Sequence, residues 1–394
     1  MIRQLAIIIT ITGGLLSCNC EQSRYLELHQ SAVVADMHCD GVLKIKKGLD
    51  YSIRNSDDHM DIPRLKEGGT DLQVFACWVA TDTPPEECRP KIDELIDSLE
   101  SMVRQNPDDI AICLTADQAD SIIGQGQIAA FLGIENGVAI AEDLGNLEHY
   151  YDRGIRYMTL THTASSDWCI SSADTAPAFN GLTDFGRAVV WKMNELGMII
   201  DVSHASVAAV EQVLKYSKAP VIASHSCVHA LCPHDRNLSD HQIKAIAAKG
   251  GVIGINYFNG YISSRWNHVL DSLYETRRAE IDSLDEYFYG NDSLRRAALK
   301  PIWDDIKAKL DTIEVTVGDV VDHIDYIVKL VGADYVGLGS DWDGVFVMPI
   351  GLDDCTMVPN ITKELVARGY TEEDIRKILG GNFMRVFREV CGSA

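Results

Sequence analysis

Positive charge is scarce in this chain. Its 394 residues carry 35 Lys and Arg against 58 Asp and Glu, a formal net charge of −23 with His neutral. Nucleic acids and anionic membrane surfaces need clustered Lys and Arg, so neither is expected as a main partner, and any positive charge at a ligand site must be local. A membrane-spanning run is missing too, because the N-terminal apolar stretch, Leu5 to Ile11, is too short to cross a bilayer comfortably. No GxGxxG follows the first strand-like run, which weakens a dinucleotide-binding reading. The stretch "CVHALCPH" (227–234) has no second ligand pair at matching spacing, so a closed structural zinc site is not expected there. The 11 cysteines follow no regular framework, and a chain of this size needs no disulfide staples; no pairing can be read.

What is present points to an exported globular protein. A hydrophobic content of 46% suits a substantial core. The opening "MIRQLAIIITITGGLLSCNC" has a basic start at Arg3, an apolar stretch and small residues before Cys18, as in an export signal. "LLSC" (15–18) resembles the lipobox of bacterial lipoproteins, the alternative being a plain secretory signal. The expected organisation is a signal over 1–17, a tether over 18–30 and one domain over 31–394. The protein is expected in the periplasm or cell envelope, touching membrane only through an N-terminal lipid.

Eight short apolar runs alternate with helical periodicity: "AVVADMH" (32–38), "DLQVFACWV" (71–79), "IAAFLGIE" (128–135), "RYMTLTH" (156–162), "MIIDVSH" (198–204), "PVIASH" (220–225), "GVIGINYF" (251–258) and "YVGLGSD" (335–341). Helical spacing marks 89–105, 182–197, 206–216 and 316–332, the last opening on Thr316 and Asp319 as a cap. Eight strands with intervening helices predict a TIM-like (β/α)8 barrel. The polar, helix-prone stretch 264–312 is too long for an ordinary loop. It reads as a helical insertion between the seventh and eighth strands: a lid, an oligomer contact in a possible homodimer, or a solvated decoration.

A TIM barrel assembles its active site at the C-terminal ends of its strands. Here those ends carry His38 and Asp40, Glu135, His162, His204, His225, Tyr257 and Asp341. With 12 His in the chain, chance would place fewer than one His there, and four are found. One His at a strand end is usually structural, but together they form a constellation. Alternation along a strand lets His38 and Asp40 face the same side while Cys39 points away. Three imidazoles and two carboxylates exceed the needs of one open zinc site and suit two metals sharing a carboxylate. Glu135 is the natural bridge, with His38 and Asp40 completing one site and His204 and His225 the other.

At these residues the chain resembles the membrane (renal-type) dipeptidases, a branch of the metal-dependent amidohydrolases. The matching stretches include "DMHCDG" (36–41), "MDIPRLKEGG" (60–69), "GIENG" (133–137), "DVSHAS" (201–206), "PVIASHS" (220–226), "RNLSD" (236–240), "NYFNGYIS" (256–263), "GLGSDWDG" (337–344) and "GNFMRVF" (381–387), in order through nearly the whole mature chain. The resemblance implies two zinc ions on His38, Asp40, Glu135, His204 and His225. It places substrate contacts on His162, Arg236, Tyr261 and Asp341. The implied reaction is hydrolysis of dipeptides, including those with a C-terminal D-residue. The chain departs from the family in the long insertion after Ser263.

Those residues suggest a division of labour. Two zinc ions would bring the pKa of a bridging water toward neutrality. His162 would hydrogen-bond the oxyanion. Asp341 would carry the proton to the leaving amine, with Asp343 as competing candidate. Arg236 would clamp the free carboxylate with help from Tyr261. The rivals are another binuclear amidohydrolase acting on cyclic amides or lactams, and a lipid-anchored binding protein without catalysis. His-x-Asp in place of His-x-His, and a glutamate at the bridge, favour the dipeptidase.

Overall fold

The computed structural model describes residues 24–392 except 57, 289 and 290. The export signal and Cys18 lie outside the described residues. Apolar runs without alternation form strands buried on both faces, as a parallel sheet under helices requires. The strands are β1 (Ala35–Asp36), β2 (Leu72–Trp78), β3 (Ile110–Ile112), β4 (Ile128–Glu135), β5 (Ile155–Thr159), β6 (Ile199–Asp201), β7 (Val221–Ser226), β8 (Val252–Ile255) and β9 (Val336–Leu338).

All pairings between these strands are parallel, and the β2–β4 pairing closes β1, β2 and β4–β9 into an eight-stranded barrel. This is the TIM-like (β/α)8 fold expected, and its eight barrel strands fall within or on the eight apolar runs apart from the ends. The additional strand, β3, was not anticipated. It pairs with Ile128–Ala130 of β4, whose partner on that edge becomes β5 only from Leu132 onward. Its three residues are too few to show a pattern.

Inside the barrel, Val74, Phe131, Ile199, Ile222 and Val252 share a core with Phe383 and Phe387 of the C-terminal helix (Asn382–Cys391). Phe387 meets Phe131 edge-on at 4.8 Å, so this helix stops the lower end of the barrel. A larger core lies between strands and outer helices. In it the helix Val317–Val331 buries Val320, Val321, Ile324 and Ile327 at the expected spacing, and the Asp319 carboxylate accepts the Thr316 amide at 2.7 Å.

The stretch expected as a tether is, in its described part, a docked helix over residues 24–31. Leu28 and His29 are buried, and the His29 ring bonds Thr362 Oγ1 (2.7 Å) and the Gly68 carbonyl (2.9 Å). Those contacts turn a short polar segment into part of the domain. The insertion is an antiparallel pair of helices, Ser264–Tyr287 and Asp292–Leu310, joined side to side by Arg277–Asp305 and Arg295–Asp285 ion pairs. Among the described residues no helix is long and apolar enough to cross a membrane.

Candidate active site

Strand register sets the floor of the site. Trp78 of β2 stands opposite Glu135 of β4, Glu135 opposite Thr159 of β5, and Thr159 opposite Asp201 of β6. Above that level the chain leaves regular strand geometry, yet His38 and Asp40 still share the centre while Cys39 packs in the outer core. β1 stops at Asp36; Asp40 caps the next helix (Gly41–Lys46) with φ −96°. His204 and Asp341 lie three residues beyond β6 and β9 in the left-handed region, at φ 66° and 65°. Such conformations are costly for side-chain-bearing residues and persist only where the surroundings hold them. They tip both side chains into the mouth.

The five expected ligands do converge. His204 Nε2, His225 Nε2 and His38 Nε2 lie 3.1, 3.4 and 3.7 Å from the Glu135 carboxylate, and His162 Nε2 lies at 3.8 Å. As expected, His204 Nε2 and His225 Nε2 lie 2.9 Å apart, both against Glu135 Oε1, while His38 faces Glu135 Oε2 and groups with Asp40; His162 near Glu135 and His204, and Asp341 beside Asp40, are additional members. Ring centroids of His38 and His225 are 3.8 Å apart, so the two halves of the centre adjoin.

Beneath the imidazoles, buried hydroxyls fix which nitrogen faces the centre. Asp201 accepts bonds from Thr159 Oγ1 (2.5 Å), Ser224 Oγ (2.6 Å) and the amides of Ser203 (3.0 Å) and Ser224 (2.9 Å). With its hydrogen given to Asp201, Ser224 Oγ accepts from His225 Nδ1 at 2.7 Å, leaving Nε2 with its lone pair toward Glu135. Tyr157 Oη bonds His38 Nδ1 at 2.8 Å and turns Nε2 of that ring to the centre. His38 Nε2 is then buried with no hydrogen-bond partner, a state that costs roughly 1–3 kcal/mol unless a cation or donor meets it. An orphaned imidazole nitrogen among His and carboxylate donors fits a zinc-type ion.

Without an ion, the groups of the centre compensate one another. Burial opposes charge on His38, yet Glu135, with Asp341 and Asp40, outweighs it and pushes the imidazole up to about 10. Burial would raise Glu135, but the neighbouring His162 and His38 hold it well below the usual carboxylate range. Asp40 is pushed well up by burial and by Glu135. Burial holds His204 and His225 down, helped by Arg236 and His38 respectively. A bound cation would favour the charged form of Asp40 beside Glu135.

Around the centre is a cavity of about 260 Å³ bounded by Asp40, Glu135, His162, His204, Arg236, Tyr261 and Asp341, with Thr163, Phe258, Gly344, Val345 and Phe346. Every expected substrate residue is on it. Arg236 donates to the His225 carbonyl (2.9 Å) and lies 5.3 Å from the Tyr261 ring, while its buried Nε has no partner. Asp341 accepts from Asn256 Nδ2 at 2.9 Å.

Asp343 is turned away: its carboxylate accepts from the His59 amide (2.7 Å) and Tyr51 Oη (2.9 Å). Tyr257 is also outside, buried against Trp342 at 5.5 Å. The Cys227 and Cys232 thiols bond to the carbonyls of Asn256 and Gly260 and hold no metal cluster among the described residues. All nine described cysteines are free thiols.

Several contributors escaped the sequence reading. Gly344 is needed because a Cβ there would collide with the carboxylates of Asp40 and Asp341; its place after "DWD" was the available signal. Tyr157, Ser224 and Asp201 were visible only as members of apolar runs. Phe258 lay in the quoted stretch "NYFNGYIS" without a role, and Phe346 carried no signal.

A family model described as membrane dipeptidase (peptidase family M19) matches residues 22–393. Among solved structures, the chain is 27% identical to the probable dipeptidase PvdM from Pseudomonas aeruginosa, with a TM-score of 0.79 over 94% of this chain and 98% of that one. It is 25% identical to dipeptidase AC, a metallopeptidase of family M19, with a TM-score of 0.75 over 92% of this chain and 100% of the other. The fold is shared, at 24% identity and a TM-score of 0.73, by a metallopeptidase from Rhodobacter sphaeroides solved with a phosphinate mimic of the dipeptide L-Ala-D-Ala, over 91% and 100% of the two chains.

Proposed function

The chain belongs to the membrane dipeptidase family, metallopeptidases that hydrolyse peptide bonds, and from that membership we propose that it cleaves free dipeptides, including those with a C-terminal D-residue, with two zinc ions held by His38, Asp40, Glu135, His204 and His225. The observation that carries this reading is the meeting, in one cavity, of an imidazole and carboxylate cluster with an Arg236 guanidinium whose buried Nε is unpartnered. When bound, the ions would acidify a water and polarise the scissile carbonyl.

The remaining work falls to side chains. Glu135, central to the cluster, offers one oxygen to each side. Arg236 and Tyr261 hold the substrate carboxylate, a group that is the same in either configuration of the C-terminal residue. His162 donates a hydrogen bond to the carbonyl oxygen as it gains charge. Asp341, steadied by Asn256, takes the proton released by water and delivers it to the nitrogen as the C–N bond breaks. The products are two free amino acids. A lipid on Cys18 would keep the enzyme at the cell envelope.

A panel of L,L- and L,D-dipeptides, C-terminally amidated dipeptides and tripeptides tests the reading, with zinc measured per chain. Cleavage is expected for free dipeptides of both kinds, at about two zinc ions per chain. Equal cleavage of amidated or longer peptides would overturn the carboxylate clamp.

A further inference from the structure

The helical insertion packs against two aromatic side chains of the catalytic cavity, with Trp266 on Phe258 at 5.3 Å and both insertion helices on Phe346. Phe346 lines that cavity and is 42% exposed, unusual for an aromatic ring beside a charged centre. On its outer side it meets Trp266 and Trp303, one from each insertion helix, both at 6.2 Å. Trp303 in turn stacks on Tyr274 at 6.2 Å and an interplanar angle of 27°. On its inner side Phe346 meets Phe258 at 5.7 Å, and Phe258 packs edge-on against Tyr261 at 4.9 Å. A continuous aromatic path therefore runs from the insertion to the wall that holds Arg236.

We propose that Phe346, backed by Trp266 and Trp303, is the specificity-determining contact for the side chain of the C-terminal residue, and that this subsite takes a large apolar or aromatic group. The inference rests on the dipeptidase reading. A carboxylate held by Arg236 and Tyr261 places the adjoining Cα beside Phe258, and the side chain on that carbon meets the exposed face of Phe346. The ring gains from being covered by an apolar group, and the insertion prevents it from folding away. Trp303 acts through Phe346 and is a positioning residue.

The test compares kcat/KM for L-Ala-L-Ala, L-Ala-L-Phe and L-Phe-L-Ala in the full chain and in Phe346→Ala, Phe346→Leu and Trp303→Ala. The parent should prefer L-Ala-L-Phe to L-Ala-L-Ala. Phe346→Ala should lower that ratio about 10-fold, mainly through KM, as loss of an apolar contact does. Phe346→Leu should restore part of the ratio, and Trp303→Ala should lower it by a smaller factor. If the parent cleaves none of the three dipeptides, the dipeptidase reading falls and this inference with it. If it is cleaved and the ratio is unmoved by Phe346→Ala and Trp303→Ala, or if only L-Phe-L-Ala responds, this inference alone is overturned.

Discussion

His225 turns its Nδ1 to Ser224 Oγ at 2.7 Å, and its Nε2 consequently faces Glu135 at 3.4 Å. The serine is held by Asp201, so a buried carboxylate two side chains away decides the orientation of a ring in the centre. Ser224→Ala should leave the fold intact and weaken zinc binding about 10- to 100-fold. Competition with a chromophoric chelator measures it, and unchanged affinity would show that Ser224 does not fix the ring.

Metal should also stabilise the fold. His38 Nε2 has no partner without it, and ligands that bind only the native state add RT ln(1 + [L]/Kd). Zinc at a thousand times its Kd should add about 4 kcal/mol. In a melting experiment, chelator should lower Tm by several degrees and zinc restore it. Identical curves with and without chelator would contradict a bound ion.

Asp341 and Asp343 should separate cleanly. Asp341 lines the cavity, whereas Asp343 is tied to the His59 amide and Tyr51. Asp341→Asn should reduce kcat by about 10²- to 10⁴-fold, the usual worth of a proton carrier. Asp343→Asn keeps an acceptor oxygen and should cost far less. Equal losses in kcat would reopen the choice between them.

Loss of the guanidinium fork should be specific to substrates with a free carboxylate. Two charge-assisted hydrogen bonds are worth roughly 3 kcal/mol or more together, so Arg236→Lys should lower kcat/KM for dipeptides by about 10²-fold. Residual cleavage of amidated dipeptides should be unaffected. A uniform loss across both substrate types would mean that Arg236 acts through the His225 carbonyl it bonds.

One stability effect lies away from the site. Burial pushes Asp71 up to about 6, although its carboxylate accepts the Val34 amide at 2.8 Å. The native state thus keeps the Asp71 proton to higher pH than the unfolded chain, whose Asp titrates near 4. Stability therefore falls as pH rises from about 4 through 6, and the full cost remains above that window. Asp71→Asn should stabilise by about 1–2 kcal/mol at pH 7.5 and by little at pH 4. Denaturant titration at the two pH values checks it; an equal effect at both would point to packing instead.

The barrel was legible because strands buried on both faces read as unbroken apolar runs, and His38, Glu135, His162, His204 and His225 stood out at their ends. The reason they meet was less legible. Left-handed turns at His204 and Asp341, and a helix cap at Asp40, replace the alternation that the strands suggested. Backbone reversals of this kind depend on Gly344 and on buried acceptors such as Asp36, which takes the Ser340 amide at 2.9 Å from the end of the neighbouring strand. Contacts between residues about 300 positions apart leave no periodic trace. Phe346 is the extreme case, since its importance arises from two tryptophans in an insertion with its own independent pattern.

Phe383 and Phe387, which stop the lower end of the barrel, also impose an order on traffic. The cavity lined by Phe346 and Arg236 lies at the other end, where dipeptide, water and amino-acid products would enter and leave. With Arg236 as the proposed clamp, a product whose carboxylate still occupies the guanidinium would block the next substrate. Free amino acids with a large apolar side chain should therefore be the most effective inhibitors of their own release.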